Sequence, residues 1–179
     1  MILECRRVTY KLYPSPHQVI GLFRLCELHR KLYNAALFER IDAYDKQSIS
    51  ISYLNQAKSV TEIRKFDSDY RGINAQSLQV TLKRLDEAFG HFFRRVREGA
   101  EEPGFPRFKS KNRFPGFGYK SHGDGFKFVP GKNWKNGKLT LSGIGTMQAR
   151  GEARTPGTIK RVDIMRKSDG WYADRKSVV

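Results

Sequence analysis

Val8-Thr9-Tyr10-Lys11-Leu12-Tyr13-Pro14-Ser15-Pro16 is the stretch on which the fold turns. Its first six residues alternate β-branched, aromatic or aliphatic side chains with polar ones, the period of a strand with one covered face. Pro14 has no amide hydrogen to continue a ladder, so a strand over residues 3–13 ends at Tyr13. Ser15 and Pro16 then supply an N-cap and a proline at the first helical position, where a missing N–H costs nothing. A lone strand that passes directly into a helix needs a sheet built elsewhere in the chain to pair with.

Downstream, Val19, Leu22, Phe23, Cys26, Tyr33, Leu37, Ile41 and Tyr44 recur at helical spacing, predicting a first helix to about Tyr44 with Arg24, Arg30, Lys31 and Arg40 off the stripe. A polar break over 45–52 precedes a second helix from about Tyr53 to Lys65, and Asp67 to Gly72 read as a loop. The strongest pattern runs from Asn74 to Arg97, with Leu78, Leu82, Leu85, Phe89, Phe92, Phe93 and Val96 on one face, a bundle core. Lys83, Arg84, Arg94, Arg95 and Arg97 lie beside that face and are expected to turn outward. After Glu101 long helical periodicity stops. Short strand-like runs follow at 125–129, 138–141, 158–164 and 170–173, with Asn136-Gly137 as a two-residue hairpin turn. The fold class is therefore α+β: a small antiparallel β-barrel that recruits the first strand, interrupted by a lobe of about three helices.

Charge bounds the function. Thirty-four Lys and Arg against eighteen Asp and Glu give a net charge of +16 on 179 residues. Folding gains nothing from such self-repulsion, so a polyanionic partner is expected, whether for a dedicated nucleic-acid binder or for a ribosome-type basic surface. No apolar run approaches a membrane span, and no signal-peptide pattern opens the chain, so a cytoplasmic, nucleoid-associated location is expected. Cys5 and Cys26 suit neither a disulfide framework nor a metal half-site.

The densest signal is Phe105 to Ser121. It carries Arg107, Lys109, Lys111, Arg113 and Lys120 without an acid, interleaved with Phe105, Phe108, Phe114, Phe117 and Tyr119. Cations suit phosphates, while the rings either stack on unpaired bases or plug the core. The acids are scattered over helices and loops, and Asp163, Asp169 and Asp174 fit the polar face of a terminal hairpin. His17, His29, His91 and His122 lack metal-ligand spacing, and no phosphate-binding glycine loop is present. No cofactor, metal or catalytic residue is expected in this chain.

Specific strings resemble a known family. Tyr10-Lys11-Leu12-Tyr13-Pro14-Ser15, Leu32-Tyr33-Asn34, Leu78-Gln79 through Phe92-Phe93-Arg94, Gly104-Phe105-Pro106-Arg107-Phe108-Lys109-Ser110-Lys111, and Lys138 to Gly145 are similar, in order, to the front part of the TnpB (OrfB) proteins of insertion sequences. The resemblance implies a transposase-associated protein of bacteria or archaea. Its wedge-like barrel (residues 1–13 and 103–179) and helical recognition lobe (14–102, the helix-turn-helix region) bind a guide RNA and double-stranded target DNA. In that family a RuvC-like nuclease domain with a zinc-binding cysteine cluster follows. Its catalytic carboxylates are absent here, so the expectation is a truncated chain that binds without cutting, with Trp171, Tyr172, Val178 and Val179 left partly exposed. A stand-alone helix-turn-helix DNA binder acting as a dimer, or a binding subunit for a nuclease supplied in trans, are the other readings. The resemblance places Tyr53 and Gln79 near a short DNA motif flanking the target. Ala75 stands where a Lys occurs in the family, which implies a different or weaker motif. Lys83, Arg94 and Arg95 complete the expected nucleic-acid-binding set.

Overall fold

The computed structural model describes residues 5–153 and 157–178. Leu3 and Glu4 of the expected first strand, and Val179 of the expected exposed patch, lie outside the described residues. The order is β1 (Cys5–Tyr13), α1 (Pro16–Gln47), α2 (Tyr53–Phe66), α3 (Ser68–Arg71), α4 (Ala75–Arg97), β2 (Phe117–Tyr119), β3 (Ser121–His122), β4 (Gly125–Pro130), β5 (Lys135–Leu141), β6 (Gly145–Glu152), β7 (Thr158–Lys167) and β8 (Gly170–Val178).

The junction of β1 and α1 follows the local chemistry. The Ser15 side chain accepts from the Gln18 amide and the Gln18 side chain accepts from the Ser15 amide, a reciprocal cap with Pro16 inside the first turn. Ser52 and Asn55 repeat the device at α2. β1 then enters the sheet between β6 and β8, antiparallel to both, with Leu12 opposite Ala149 and Trp171. The sheet runs β2-β7-β8-β1-β6-β5-β4-β3, and its only parallel pair among the described strands is β3 with β4. Its two outer strands, β2 and β3, are consecutive in the chain with Lys120 alone between them, so the sheet curls back on itself as a barrel. The helices are thus an insertion between the first barrel strand and the rest.

Two cores result. Tyr10, Leu12, Phe126, Phe128, Leu139, Leu141, Met147, Val162, Ile164 and Trp171 fill the barrel, and Leu22 of α1 packs into it. Leu28, Leu32, Leu37, Val60, Leu78, Leu82, Leu85 and Phe89 fill the helical lobe. A long helix serving two cores buries a stripe displaced from the one its large residues suggest. Leu28, His29, Leu32 and Ala36 are buried, while Phe23 and Tyr44 are exposed. Phe93 and Val96, expected on the core face of α4, are also exposed.

Several expectations are corrected. Residues 67–72 hold the single-turn helix α3, capped by the Asp67 carboxylate, giving four helices rather than three. Asn136-Gly137 is no hairpin tip. Asn136 has φ 57° inside β5, at a register shift against β6, and the reversal from β4 to β5 is made at 131–134. A left-handed asparagine suits a bulge as well as a turn. Trp171 is buried in the barrel core rather than partly exposed.

Arg84 points inward, donating to Gly116 O and to Asp163, both at 2.6 Å. Arg40 is also drawn in, bridging α1 to Gln56 of α2 and Asp86 of α4. Asp163 and Asp174 are only 8% and 6% exposed, so neither belongs to a solvated hairpin face. Asp163 is held by Arg84 and Arg161, Asp174 by Arg7 and the Thr9 hydroxyl. Phe117 and Tyr119 lie in the barrel core, and Phe114 packs on Tyr33. Those three rings therefore take the core role, not the base-stacking one.

Candidate nucleic-acid interface

The stretch from 103 to 114 has no strand or helix of its own; other elements hold its backbone. Asn34 on α1 grips Lys109 twice, its amide nitrogen donating to Lys109 O at 3.0 Å and its oxygen accepting from the Lys109 N–H at 2.8 Å. Arg30 donates to the same carbonyl at 3.0 Å. Upstream, Arg95 of α4 donates to Pro103 O at 2.5 Å and to Gly104 O at 3.1 Å. Downstream, Gly116 has φ 119°, and a Cβ there would stand 1.9 Å from Ile164 O. Only glycine lets the segment turn into β2 against β7.

Backbone fixed, the segment's side chains project outward. Arg107, Lys111 and Arg113 are exposed, with no ion-pair partner among the described residues. Lys109 is half-buried, its ammonium 6.0 Å from the Tyr33 ring centre. Phe108 is 53% exposed; Phe105 is 45% exposed and meets Phe89 and Phe92 edge-on. A ridge of preordered cations and two accessible rings can bind phosphates and unstacked bases without first paying to order its chain.

Other expected residues cluster separately on α4. Lys83 lies over the Tyr53 ring at 5.4 Å and pairs with Asp86 at 3.0 Å, which raises its pKa. Lys120 donates to Gln79 Oε1 at 3.0 Å, bringing those two together. Gln79 and Lys83 are four residues apart, on one side of the helix. Arg94 is exposed on the last turn beside Glu98, 3.9 Å away. Arg95 is spent on the two carbonyls and is half-buried.

Sequence reasoning missed what holds the ridge. Nothing in the spacing of Asn34 announces a partner 75 residues away. Beneath the ridge, His29 is fully buried and stacks on Phe117 at 5.2 Å. Its Nδ1 lies 2.7 Å from Thr81 Oγ1 and its Nε2 3.3 Å from Ser77 Oγ, while Ser77 donates to Gly118 O at 2.8 Å. One assignment satisfies every atom: Nε2–H donates to Ser77, and Nδ1 accepts from Thr81. Burial pushes the imidazole pKa down to about 3, so the ring is neutral and structural. Beside it, burial pushes the Cys26 thiol up to about 12, leaving it unreactive at neutral pH. Among the described residues no group of three or more His, Cys, Asp or Glu is placed to hold a metal ion. Among them too, no helix is long and apolar enough to cross a membrane.

The helix-turn-helix domain of the OrfB proteins of IS605-type elements matches residues 1–48, the span holding β1 and α1. A Streptomyces pristinaespiralis protein, provisionally named an RNA-guided DNA endonuclease, is 29% identical over 139 residues, 76% of this chain and 31% of its own length. The provisionally named RNA-guided DNA endonuclease InsQ of Escherichia coli (strain K12) is 25% identical over 165 residues, 91% of this chain and 38% of its own length. The chain thus spans about a third of the length of these curated relatives.

Proposed function

We propose that this chain, similar at its front to the OrfB (TnpB) proteins of insertion sequences, is a nucleic-acid-binding module of that family that grips a guide RNA and touches the target DNA. The observation that carries the reading is the ridge at 105–113. Its cations make no direct ion pair among the described residues, and its backbone is held by Asn34, Arg30 and Arg95. Arg107, Lys109, Lys111 and Arg113 take RNA phosphates, with Phe105 and Phe108 available to unpaired bases. The second patch, Tyr53, Gln79, Lys83 and Lys120 with Arg94 further along α4, faces the DNA duplex. Gln79 offers its amide to a base edge while Lys120 occupies its oxygen. The barrel of residues 1–13 and 103–179 and the helical lobe of 14–102 act as two jaws. Arg95 contributes by holding the ridge rather than by touching the ligand. Cleavage, which the relatives' names describe, is not assigned to the residues of this chain.

Fluorescence polarisation with a 20-nucleotide single-stranded RNA and a DNA duplex of equal length tests the reading. Changing Arg107, Lys109, Lys111 and Arg113 to Gln together is expected to weaken RNA binding by roughly a hundredfold at low salt. The same change should weaken duplex binding less, and Mg²⁺ should leave the DNA intact. Unchanged RNA affinity in the quadruple variant would remove the ridge from the interface.

A further inference from the structure

The ridge, the start of α1 and the tip of the β7–β8 hairpin enclose a cavity of about 420 Å³. That is within the range of roughly 300 to 1,000 Å³ in which small ligands are held. Its walls combine two chemistries. Phe23, Phe114 and Trp171 supply rings, Phe23 meeting Trp171 edge-on at 5.3 Å. Lys111 and Arg166 supply positive charge, and Asn112 supplies an amide.

The charge is unbalanced in a particular way. Two further arginines at the cavity are already matched, Arg30 by Glu27 at 2.6 Å and Arg24 by Asp69. The Arg30 contact holds the Glu27 carboxyl below its ordinary pKa, so that acid is ionised and engaged. Lys111 and Arg166 make no ion pair among the described residues, and Lys111 acts on Glu27, already held by Arg30, only through its field. Arg166 faces Trp171 across the β7–β8 ladder, and its guanidinium carbon lies over the Phe23 ring, 4.7 Å from its centre. Rings beside unmatched cations, in a space too large for a side chain, are the requirements for a base and its phosphate. The neutral Cys26 thiol in the same wall brings no competing charge.

We propose that this cavity is a receptor for one unstacked nucleotide of a single strand, its base against the exposed Phe23 ring and its phosphate at Lys111 and Arg166. The inference rests on the nucleic-acid-binding reading above and deepens it. The ridge holds the strand along its backbone, and the cavity takes one nucleotide out of the stack, fixing the strand's register on the protein.

Trp171 reports on the cavity directly. The chain has two tryptophans, so Trp134→Phe leaves Trp171 as the sole emitter. A ten-nucleotide single-stranded RNA, DNA of the same sequence, an RNA hairpin with paired bases, and adenosine monophosphate are titrated in parallel by emission and by polarisation or dialysis. A single strand is expected to quench Trp171 with the midpoint of its binding curve, and the paired hairpin to bind without quenching. Whether RNA or DNA quenches identifies the source of the nucleotide. Lys111→Gln with Arg166→Gln should weaken single-strand binding by roughly tenfold, the loss of one held base and phosphate. Lys46→Gln with Lys65→Gln has the same net charge but lies away from the cavity, and should cost about twofold. Single strands that bind with Trp171 emission unchanged, quenching by the free mononucleotide alone, or equal losses in the two double variants would each overturn the proposal. Absence of RNA binding in the polarisation channel would instead defeat the reading on which it rests.

Discussion

Asn34→Ala should loosen the ridge while leaving both cores intact. The wild-type amide makes two hydrogen bonds to the Lys109 backbone, 3.0 and 2.8 Å long and only partly shielded from water. Each such bond is worth about 1 kcal/mol net. Lys109 O keeps its bond from Arg30, so only the Lys109 N–H loses its partner. The expected cost is about 1–2 kcal/mol, equivalent to roughly a tenfold rise in local opening. Arg107, Lys109, Lys111 and Arg113 make the segment a row of trypsin sites. Limited trypsinolysis under conditions of fast reclosing should therefore show cleavage at these residues accelerated about tenfold. Asn34→Asp keeps an acceptor for the Lys109 N–H and loses the donor to a carbonyl that Arg30 still serves. It should sit between wild type and Asn34→Ala. RNA affinity should fall in the same order, because an unheld segment has to be ordered on binding. A cleavage rate in Asn34→Ala equal to wild type would refute the claim that Asn34 holds the ridge.

Two further outcomes follow from the frame beneath the interface. His29 has its folded pKa lowered to about 3 by burial, so below the unfolded value of about 6.5 the unfolded chain binds the extra proton and stability falls with pH. This one residue should make the protein about 2 kcal/mol less stable at pH 5 than at pH 7, a loss that continues toward pH 3. Urea midpoints at the two pH values should differ less in His29→Gln; the same pH dependence in both proteins would clear His29. Gly116→Ala forces a Cβ onto Ile164 O from a left-handed backbone, and should cost on the order of 3 kcal/mol or more in thermal unfolding. A melting temperature within a degree of wild type would show that β2 has room to shift.

What the sequence made legible is what local chemistry decides. Pro14, Ser15 and Pro16 mark the passage from β1 to α1 by themselves, because proline geometry and a serine cap act within a few residues. The leucines of α4 announce a core face because Leu78, Leu82 and Leu85 all enter the helical core, whereas the side that meets β2 through Ser77 carries no such stripe. Insertion of the helices into a barrel was readable from a lone strand in need of a sheet.

Features that depend on distant partners were not readable. Asn136-Gly137 signals a left-handed residue, and only pairing with β6 decides between turn and bulge. β2 is three residues long and wholly buried, so Phe117, Gly118 and Tyr119 show no alternation. The strand β6 turns only Met147 and Ala149 inward, too little apolar area to stand out. Arginine carries the same charge wherever it points. Arg84 reaches a buried aspartate and Arg107 reaches solvent, and nothing in their neighbours separates them. The ridge was visible as composition, but the clamp that makes it rigid was not, since Asn34 and Lys109 are 75 residues apart. The cavity at the hairpin tip joins residues from three separate stretches, and no single window of sequence contains it.

The central claim is that the 105–113 ridge binds a strand through its phosphates, and the salt dependence of RNA affinity tests it most directly. For single strands, log K falls with log salt by about 0.7 per neutralised phosphate. Changing Arg107, Lys109, Lys111 and Arg113 to Gln should therefore make the slope for a single-stranded RNA shallower by about 2.8 than wild type. A quadruple variant that binds more weakly but keeps the wild-type slope would contradict the account.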